Sequence, residues 1–294
     1  MICNACPRKC NVDRQNTLGY CKSSDKFKLA RAALHFWEEP CISGKNGSGA
    51  IFFSAVAIWV VFFCQNFDIS HNCKGVEVSD GKLIDIMKNL VDKGANNINL
   101  VNPTHYSAQL LRVFEKYKPP VPIVYNTSGY DSVETLRLFD GIVDVYLPDF
   151  KYIRPDKAQK YSKAENYPQV AEAALTEMKR QVKSDVFDDR GIMQKGMIIR
   201  HLVLPSNTNA SIEALDYLAE NFDDTYISVM AQYVPCGDLS DYKEINRPLT
   251  QREYDKVVNH ILDLGLDKIF VQELEAASDE FIPDFDFTGV VDFD

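Results

Sequence analysis

Residues 50–66 read Ala-Ile-Phe-Phe-Ser-Ala-Val-Ala-Ile-Trp-Val-Val-Phe-Phe-Cys-Gln-Asn. The first four residues are a candidate for a short buried strand, and Ser54 marks the point where that strand gives way to a loop. Within this apolar run, Cys64 is the single cysteine. A membrane-spanning helix needs about 20 apolar residues, so the run is too short to predict one. The strand predicted at residues 50–53 is instead the first element in a series of alternating strands and helices, and this series determines the fold.

Extended and helical patterns alternate along the rest of the chain. Ser79 has the character of a helix N-cap, and residues 250–253 (Thr-Gln-Arg-Glu) have the form of a capping box. Helical spacing of apolar residues predicts helices over 83–91, 108–118, 133–139, 161–181 and 212–220. Strands that alternate with helices are typical of parallel sheets with crossover helices. We therefore predict an α/β protein, a partial (β/α) barrel of about six parallel strands with a Cys-rich N-terminal extension.

The predicted division places the Cys-rich extension at residues 1–48 and the barrel with its C-terminal tail at 49–294. In the extension, Cys3, Cys6, Cys10 and Cys21 follow the pattern C-x2-C-x3-C-x10-C. Four soft ligands at this spacing can surround one tetrahedral ion or one cluster, so the pattern indicates a metal site. The spacing leaves both zinc and an iron–sulfur cluster open. The alternative is a set of unrelated buried thiols.

Charge and cysteine usage narrow the range of partners. The net charge of −10 argues against a nucleic-acid partner, which would require a basic face. No apolar signal segment is visible in the first 21 residues, so we expect a cytoplasmic protein with no membrane partner. Eight cysteines in such a protein favour metal or redox chemistry over disulfides.

Polar residues recur at the ends of successive predicted strands. In barrels of parallel strands, functional side chains gather at the C-terminal strand ends. Asp149 and Lys151 are two residues apart and so share a face of an extended segment. Taken singly, each residue could be a solvated charge or part of a turn. Together they predict a site for a polar ligand with a carboxylate, an amine and hydroxyls. The candidate residues are Asn102, Thr104, Asn126, Ser128, Asp149, Lys151 and Arg200.

Several longer motifs then suggest a family. They are Cys-Pro-Arg-Lys-Cys at 6–10, His-Phe-Trp-Glu-Glu-Pro-Cys-Ile-Ser-Gly at 35–44, Cys-Gln-Asn at 64–66, and the segments 101–106, 125–130, 147–152 and 200–205. In these motifs the chain resembles radical SAM proteins, and in particular the group related to pyruvate formate-lyase activating enzyme. The resemblance extends from Cys3 to at least Pro283. It implies a partial barrel, a [4Fe-4S] cluster and S-adenosylmethionine as cofactors, and iron–sulfur oxidoreductase activity.

The resemblance also implies roles for particular residues. In that family, a C-x3-C-x2-C loop after the first strand binds three irons, and S-adenosylmethionine chelates the fourth. Reduction then gives methionine and a 5′-deoxyadenosyl radical. Asp149 and Lys151 match the family's Asp-x-Lys near the methionyl group, and Arg200 matches an arginine on strand five. Asn102 and Thr104 stand where better-known activating enzymes have a Gly-Gly-Glu turn. The implied partners are a glycyl-radical enzyme or another substrate, and a flavodoxin- or ferredoxin-type electron donor.

This chain departs from the family at the loop itself, where it keeps only Cys64. One thiolate cannot hold a cluster that needs three, and neither Cys41 nor Cys73 restores the spacing. One explanation is drift to a catalytically inactive barrel that retains an N-terminal metal site and acts as a binding or regulatory protein. The other is a local frameshift between Ser54 and Cys64. Read one nucleotide out of phase, residues 55–63 permit Gly-Cys-Gly-Asn-Leu-Gly-Cys-Val-Phe, which is close to the family loop.

Overall fold

A computed structural model of the chain describes residues 2–55, 66–274 and 283–291. The predictions made for Cys64 and for most of the apolar run lie outside these described residues. No helix in the described ranges is long and apolar enough to cross a membrane.

The strands of the described chain alternate with helices from residue 48 onward. The strands are β1 (Phe27–His35), β2 (Ser48–Phe53), β3 (Val76–Val78), β4 (Ile98–Val101), β5 (Ile123–Thr127), β6 (Val145–Pro148), β7 (Val186–Phe187), β8 (Met193–Leu202), β9 (Tyr226–Met230) and β10 (Ile269–Val271). The helices are α1 (Pro40–Ser43), α2 (Phe67–Ser70), α3 (Asp80–Asp92), α4 (Ser107–Phe114), α5 (Val133–Arg137), α6 (Pro155–Ser162), α7 (Tyr167–Val182), α8 (Thr208–Asn221) and α9 (Gln251–Asp263).

The strands form one sheet in the order β10-β9-β8-β6-β5-β4-β2-β1-β3, with β7 paired to β8. From β2 to β10, each neighbouring pair in this order is parallel. β1 is antiparallel to both β2 and β3. The predicted α/β class with a mostly parallel sheet is therefore confirmed. Within the described residues the parallel run has seven strands, of which β10 is the last along the chain. The closure into a partial barrel remains a prediction.

The two faces of the sheet have different surroundings. One face packs on the long helices, and its large buried side chains include Leu100, Tyr125, Tyr146, Ile199 and Val229. The other face carries the alternate residues of the same strands, as expected from the two-residue period of a strand. There Val124, Val145, Leu147 and Ile198 pack with Cys41 and Ile42 of α1 in a smaller apolar cluster. We call this second face the inner face.

Local signals in the sequence account for several helix ends. Ser79 accepts a hydrogen bond from the Lys82 amide at 3.1 Å, which confirms the predicted cap of α3. Thr250 and Glu253 form the predicted capping box at the start of α9. The region 161–181 is mostly helical, as predicted, with one interruption. α6 ends at Ser162, Lys163 follows in a left-handed conformation (φ 48°), and α7 begins at Tyr167 with Pro168 in its first turn.

The N-terminal residues lie against the C-terminal edge of the parallel strands. Within the segment predicted as an extension, β1 pairs with β2 from Leu29 opposite Phe53 to His35 opposite Ser48. Before β1, the Asp25 carbonyl accepts a hydrogen bond from Gln109 of α4 at 3.1 Å. The division of the chain at residue 48 remains a prediction.

Candidate functional site

On the inner face of the sheet, the side chains near the N-terminal ends of the parallel strands are apolar, and those near the C-terminal ends are polar. Asn96 and Asn97 donate from their side chains to the carbonyls of Ser43 and Ile42, at 2.7 and 2.8 Å, and so hold α1 under the N-terminal end of β4. The apolar cluster around Ile42 therefore fills the lower part of the inner face. Above it, at the C-terminal strand ends, the side chains become polar.

The polar residues of this upper layer come from six separate positions in the chain. Strand alternation explains part of the change, because Asn126 lies two residues after Val124 and Arg200 two residues after Ile198, on the same faces. A parallel bridge between Asp149 and Arg200 brings these two residues side by side. We call this group the polar cluster. It consists of Glu38, Asn99, Asn126, Asp149, Lys151 and Arg200.

Arg200 lies at the centre of the polar cluster. Its Nε donates to Asp149 Oδ1 at 3.0 Å, its Nη1 to Glu38 Oε2 at 3.1 Å, and its Nη2 to Asn126 Oδ1 at 2.7 Å. The Arg200 side chain is only 11% exposed. A buried guanidinium requires such partners, because an unpaired buried charge is costly. The network therefore fixes the position of the guanidinium over the inner face.

The two carboxylates of the polar cluster have further partners. Glu38 Oε1 accepts from Asn99 Nδ2 at 3.0 Å and from Asn126 Nδ2 at 3.1 Å. Lys151 Nζ donates to Asp149 Oδ2 at 2.5 Å. Burial alone would raise the pKa of Asp149, but Lys151 and Arg200 outweigh it and hold that pKa below its usual value. Asp149 is therefore ionised at neutral pH, and two cations face two carboxylates in the cluster.

Two buried acceptor atoms beside this network have no hydrogen-bond partner among the described residues. They are Asn99 Oδ1 and Glu39 Oε2. Glu39 interacts electrostatically with Arg200 and Glu38, so it borders the polar cluster. Burial raises its pKa, with Arg200 opposing this shift and Glu38 adding to it. Unpaired buried polar atoms are rare in folded proteins, so these two oxygens are available to a bound ligand or to buried water.

The structure brings together some of the predicted site residues and separates others. Asn126, Asp149, Lys151 and Arg200 all belong to the polar cluster. Thr104 does not. It donates to Asp131 Oδ1 at 2.7 Å, in a buried group on the helix side of the sheet.

Asn102 and Ser128 also stand apart from the polar cluster. Asn102 has a left-handed backbone (φ 56°), and its amide donates to the Asn126 carbonyl at 2.8 Å. The Ser128 carbonyl accepts from the Tyr167 hydroxyl at 3.1 Å. The described contacts of both residues therefore involve the backbone and shape the strand ends.

Sequence reasoning missed Glu38, Glu39 and Asn99 as site residues. The sequence did carry a signal for the two glutamates, because they stand side by side directly before the apolar segment of α1. Acidic residues that are drawn into the interior by such a segment need partners there. Asn99 offered none, because one asparagine inside a short apolar strand is compatible with many environments. Its role becomes visible only when Glu38 is placed 3.0 Å from its amide nitrogen.

The N-terminal cysteines converge in the structure. Cys3, Cys6, Cys10 and Cys21 line one small cavity together with His105. All four are free thiols. Burial raises the pKa of Cys6 to about 11, although the Arg8 amide acts in the opposite direction. In the described ranges, no group of three or more His, Cys, Asp or Glu side chains is already arranged to hold a metal ion.

The other described cysteines near the predicted loop do not form a cluster site. Cys41 is buried in the apolar cluster of the inner face, and burial raises the pKa of its thiol to about 12. The Cys73 thiol is 3.9 Å from the His71 carbonyl. Neither residue joins Cys64 in a C-x3-C-x2-C sequence, as expected from the spacing.

Comparison with known proteins identifies a relative. The chain is 30% identical over 280 residues to uncharacterized protein MJ0674 of Methanocaldococcus jannaschii, an alignment that covers 91% of this chain and 76% of the relative. The chain belongs to the MJ0674 family. No protein-family profile matches the sequence. Membership of the MJ0674 family therefore does not assign an activity to this chain.

A solved structure is also similar to this member of the MJ0674 family. It is the FeFe-hydrogenase maturase HydG from Carboxydothermus hydrogenoformans, with 16% sequence identity and a TM-score of 0.46. The similarity covers 77% of this chain and 54% of HydG, so the chain spans about half of that structure. A likeness at this level assigns neither an activity nor a ligand.

Proposed function

We propose that this protein binds S-adenosylmethionine at the C-terminal edge of its parallel sheet and belongs to the radical SAM group of iron–sulfur oxidoreductases. The observation that carries the proposal is the polar cluster with its two unpaired acceptors. Ligands of α/β proteins bind at the C-terminal ends of parallel strands, which is where this cluster lies.

The charges of the polar cluster suit the methionyl end of S-adenosylmethionine. Arg200 and Lys151 provide two positive charges, and Glu38 and Asp149 provide two carboxylates within hydrogen-bonding distance of them. A balanced site of this kind favours a ligand that carries both an ammonium and a carboxylate. The unpaired acceptor atoms of Asn99 and Glu39 would receive hydrogen bonds from its donors. The residues present therefore fit S-adenosylmethionine.

The residues present do not fit a [4Fe-4S] cluster. Such a cluster needs three cysteine thiolates with S-adenosylmethionine on the fourth iron, and the stretch from Ser54 to Asn66 contains one cysteine. Cys41 is held by apolar packing and precedes the strand that leads into that stretch. We therefore assign no reductive step to the chain as it is written. The glycyl-radical enzyme partner and the flavodoxin- or ferredoxin-type donor depend on that step and remain expectations from the resemblance.

The single cysteine favours a second candidate function. A barrel that binds S-adenosylmethionine or another polar ligand without cleaving it would act as a binding or regulatory protein. The two candidates share the ligand site and differ in redox chemistry.

Binding of S-adenosylmethionine is tested by calorimetric titration of the purified chain. We expect Lys151→Ala to weaken binding by about tenfold, because removing one charge-assisted contact costs about 1.5 kcal/mol. Lys45→Ala is the matched control, since Lys45 is exposed in the turn before β2, at the opposite edge of the sheet. Absence of binding in the unaltered chain, or equal weakening by both variants, would contradict the proposal.

Redox activity is tested by anaerobic reconstitution with iron and sulfide. Charge-transfer absorption that disappears in Cys64→Ala, together with 5′-deoxyadenosine formation under reductant, would support the oxidoreductase. Absorption that disappears only when Cys3, Cys6, Cys10 or Cys21 is replaced, with no cleavage of S-adenosylmethionine, would support the binding protein.

A further inference from the structure

The four N-terminal cysteines form a second candidate site, independent of the polar cluster. Cys3, Cys6, Cys10 and Cys21 approach one cavity of about 10 Å³ between them. Four thiols around one small space are the ligand set of a closed tetrahedral site.

The backbone around the first three cysteines is folded into a compact loop. The Lys9 amide donates to the Cys6 carbonyl at 3.0 Å, and Lys9 itself has a left-handed φ of 42°. The Asn11 amide donates to the Cys3 carbonyl at 3.2 Å. In addition, the Arg8 amide donates a hydrogen bond to the Cys6 thiol. An amide directed at a sulfur fixes the orientation of that sulfur in the loop.

Gly19 allows the fourth cysteine to approach the loop. A Cβ atom at position 19 would lie 3.2 Å from Cys21 Sγ and 3.8 Å from Cys10 Sγ. Both sulfurs therefore lie beside a position that has no side chain. A larger residue at position 19 would crowd Cys21 Sγ and would come into contact with Cys10 Sγ.

The residues around the thiols are positively charged. Arg8 and Arg14 line the same cavity, and Lys9 lies in the loop between Cys6 and Cys10. A divalent ion with four thiolates keeps a net negative charge, which nearby cations offset. The Arg14 guanidinium also donates to the carbonyls of His105 and Ser24.

We propose that Cys3, Cys6, Cys10 and Cys21 bind one tetrahedral divalent ion of the zinc class. In the described structure the thiols are not yet arranged around an ion, so binding would draw them together. Each thiol would release its proton to solvent, and no electron is transferred. The His105 ring does not compete as a ligand through Nε2, because that atom is 3.3 Å from the Ser54 carbonyl. The site is closed by four protein ligands, as structural zinc sites are.

The ion would fasten residues 2–26 onto the C-terminal edge of the sheet. The Ala5 carbonyl accepts from Thr135 of α5 at 2.9 Å, and Arg8 donates to the Lys163 carbonyl at 3.0 Å. Arg14 contacts the His105 carbonyl after β4. A short segment with so few apolar contacts of its own gains its fixed shape from metal binding.

Cobalt(II) titration of the apo chain under reducing conditions tests the site. We expect one cobalt per chain, with visible absorption of tetrahedral cobalt–thiolate coordination. Zinc should displace the cobalt. Each of Cys3→Ser, Cys6→Ser, Cys10→Ser and Cys21→Ser should weaken cobalt binding by at least about tenfold. Cys73→Ser is the matched control and should leave the spectrum unchanged.

Two further measurements keep the proposal open to refutation if a variant folds poorly. In the unaltered chain, removal of the metal by a chelator should increase proteolytic cleavage within residues 2–26 while calorimetric binding of S-adenosylmethionine is still measurable. Absorption that persists in all four Cys→Ser variants would overturn the proposal, as would four irons per chain bound through these same cysteines. The polar cluster is a separate site, so Lys151→Ala should weaken S-adenosylmethionine binding and leave cobalt binding intact. This result separates the two proposals.

Discussion

Arg200 on β8 and Asp149 after β6 form a buried ion pair, with Nη2 and Oδ1 2.9 Å apart. The side chains are 11% and 12% exposed. The same pair is joined through the backbone, because the Phe150 amide donates to the Arg200 carbonyl at 2.8 Å. The charge contact and the strand pairing therefore reinforce one another, and the ligand site depends on both.

Asp149→Asn should destabilise the fold. The substitution keeps the size of the side chain but leaves Arg200 and Lys151 with one buried carboxylate less. Breaking a buried pair in this way costs about 3 kcal/mol. Urea unfolding followed by circular dichroism measures the free energy of unfolding. Asp92→Asn, at the exposed end of α3, is the matched control and should change it by less than about 0.5 kcal/mol. A loss at Asp149 no larger than that of the control would contradict the ion pair.

The contribution of Asp149 should depend on pH in a defined direction. Its pKa in the folded protein is below the ordinary value of about 3.9. The stabilisation is therefore fully present above pH 4 and is lost as the pH falls through the folded pKa. The difference in unfolding free energy between the unaltered chain and Asp149→Asn should be constant from pH 7 to 5 and shrink below pH 4. A difference that stays constant down to pH 3 would show that Asp149 is not an ionised partner of Arg200.

Part of this site could be predicted from sequence because its signals are local. Asp149 and Lys151 share a face by their spacing alone, and the capping box at Thr250 depends only on Glu253 three residues later. Glu38 could not be placed in the same way, since it meets Arg200 162 residues away. Such a contact follows from strand order, and strand order is set by the packing of the whole sheet.

Thr104 is the opposite case to Glu38, because it was predicted as a site residue and is not one. It follows a strand end, but its side chain points away from the site. It follows β4 and was predicted to contact the ligand, yet its hydroxyl bonds to Asp131 together with Thr127. The reversal has a local cause. Asn102 adopts a left-handed φ of 56° and Thr104 begins a short 3-10 turn, so the two-residue alternation of β4 does not continue past Val101. Neither feature is evident from residue types alone.

Thr104→Val should reduce stability without affecting the ligand. The substitution conserves shape and removes the 2.7 Å hydrogen bond to Asp131 Oδ1, which keeps the longer 3.3 Å hydrogen bond from the Tyr125 hydroxyl. We expect a loss of about 1–3 kcal/mol in unfolding free energy and an unchanged affinity for S-adenosylmethionine. Thr104→Ser retains the hydroxyl and should recover most of the stability. Weaker binding by Thr104→Val at full stability would return Thr104 to the ligand site.

The double variant Ala57→Cys/Val61→Cys tests whether the two cysteines missing from the apolar run are all that the chain needs to bind a cluster. With Cys64 it restores the C-x3-C-x2-C spacing, and hence the three thiolates that a [4Fe-4S] cluster needs. After anaerobic reconstitution, we expect about four more irons per chain than in the unaltered protein, and 5′-deoxyadenosine formation under reductant. Ala57→Ser/Val61→Ser is the matched control, because it makes the same run equally polar without adding thiolates. Equal additional iron in the serine control would show that the iron is not bound by the restored thiolates. A cysteine variant that gains iron yet never cleaves S-adenosylmethionine would mean that this chain has lost more than its cluster ligands.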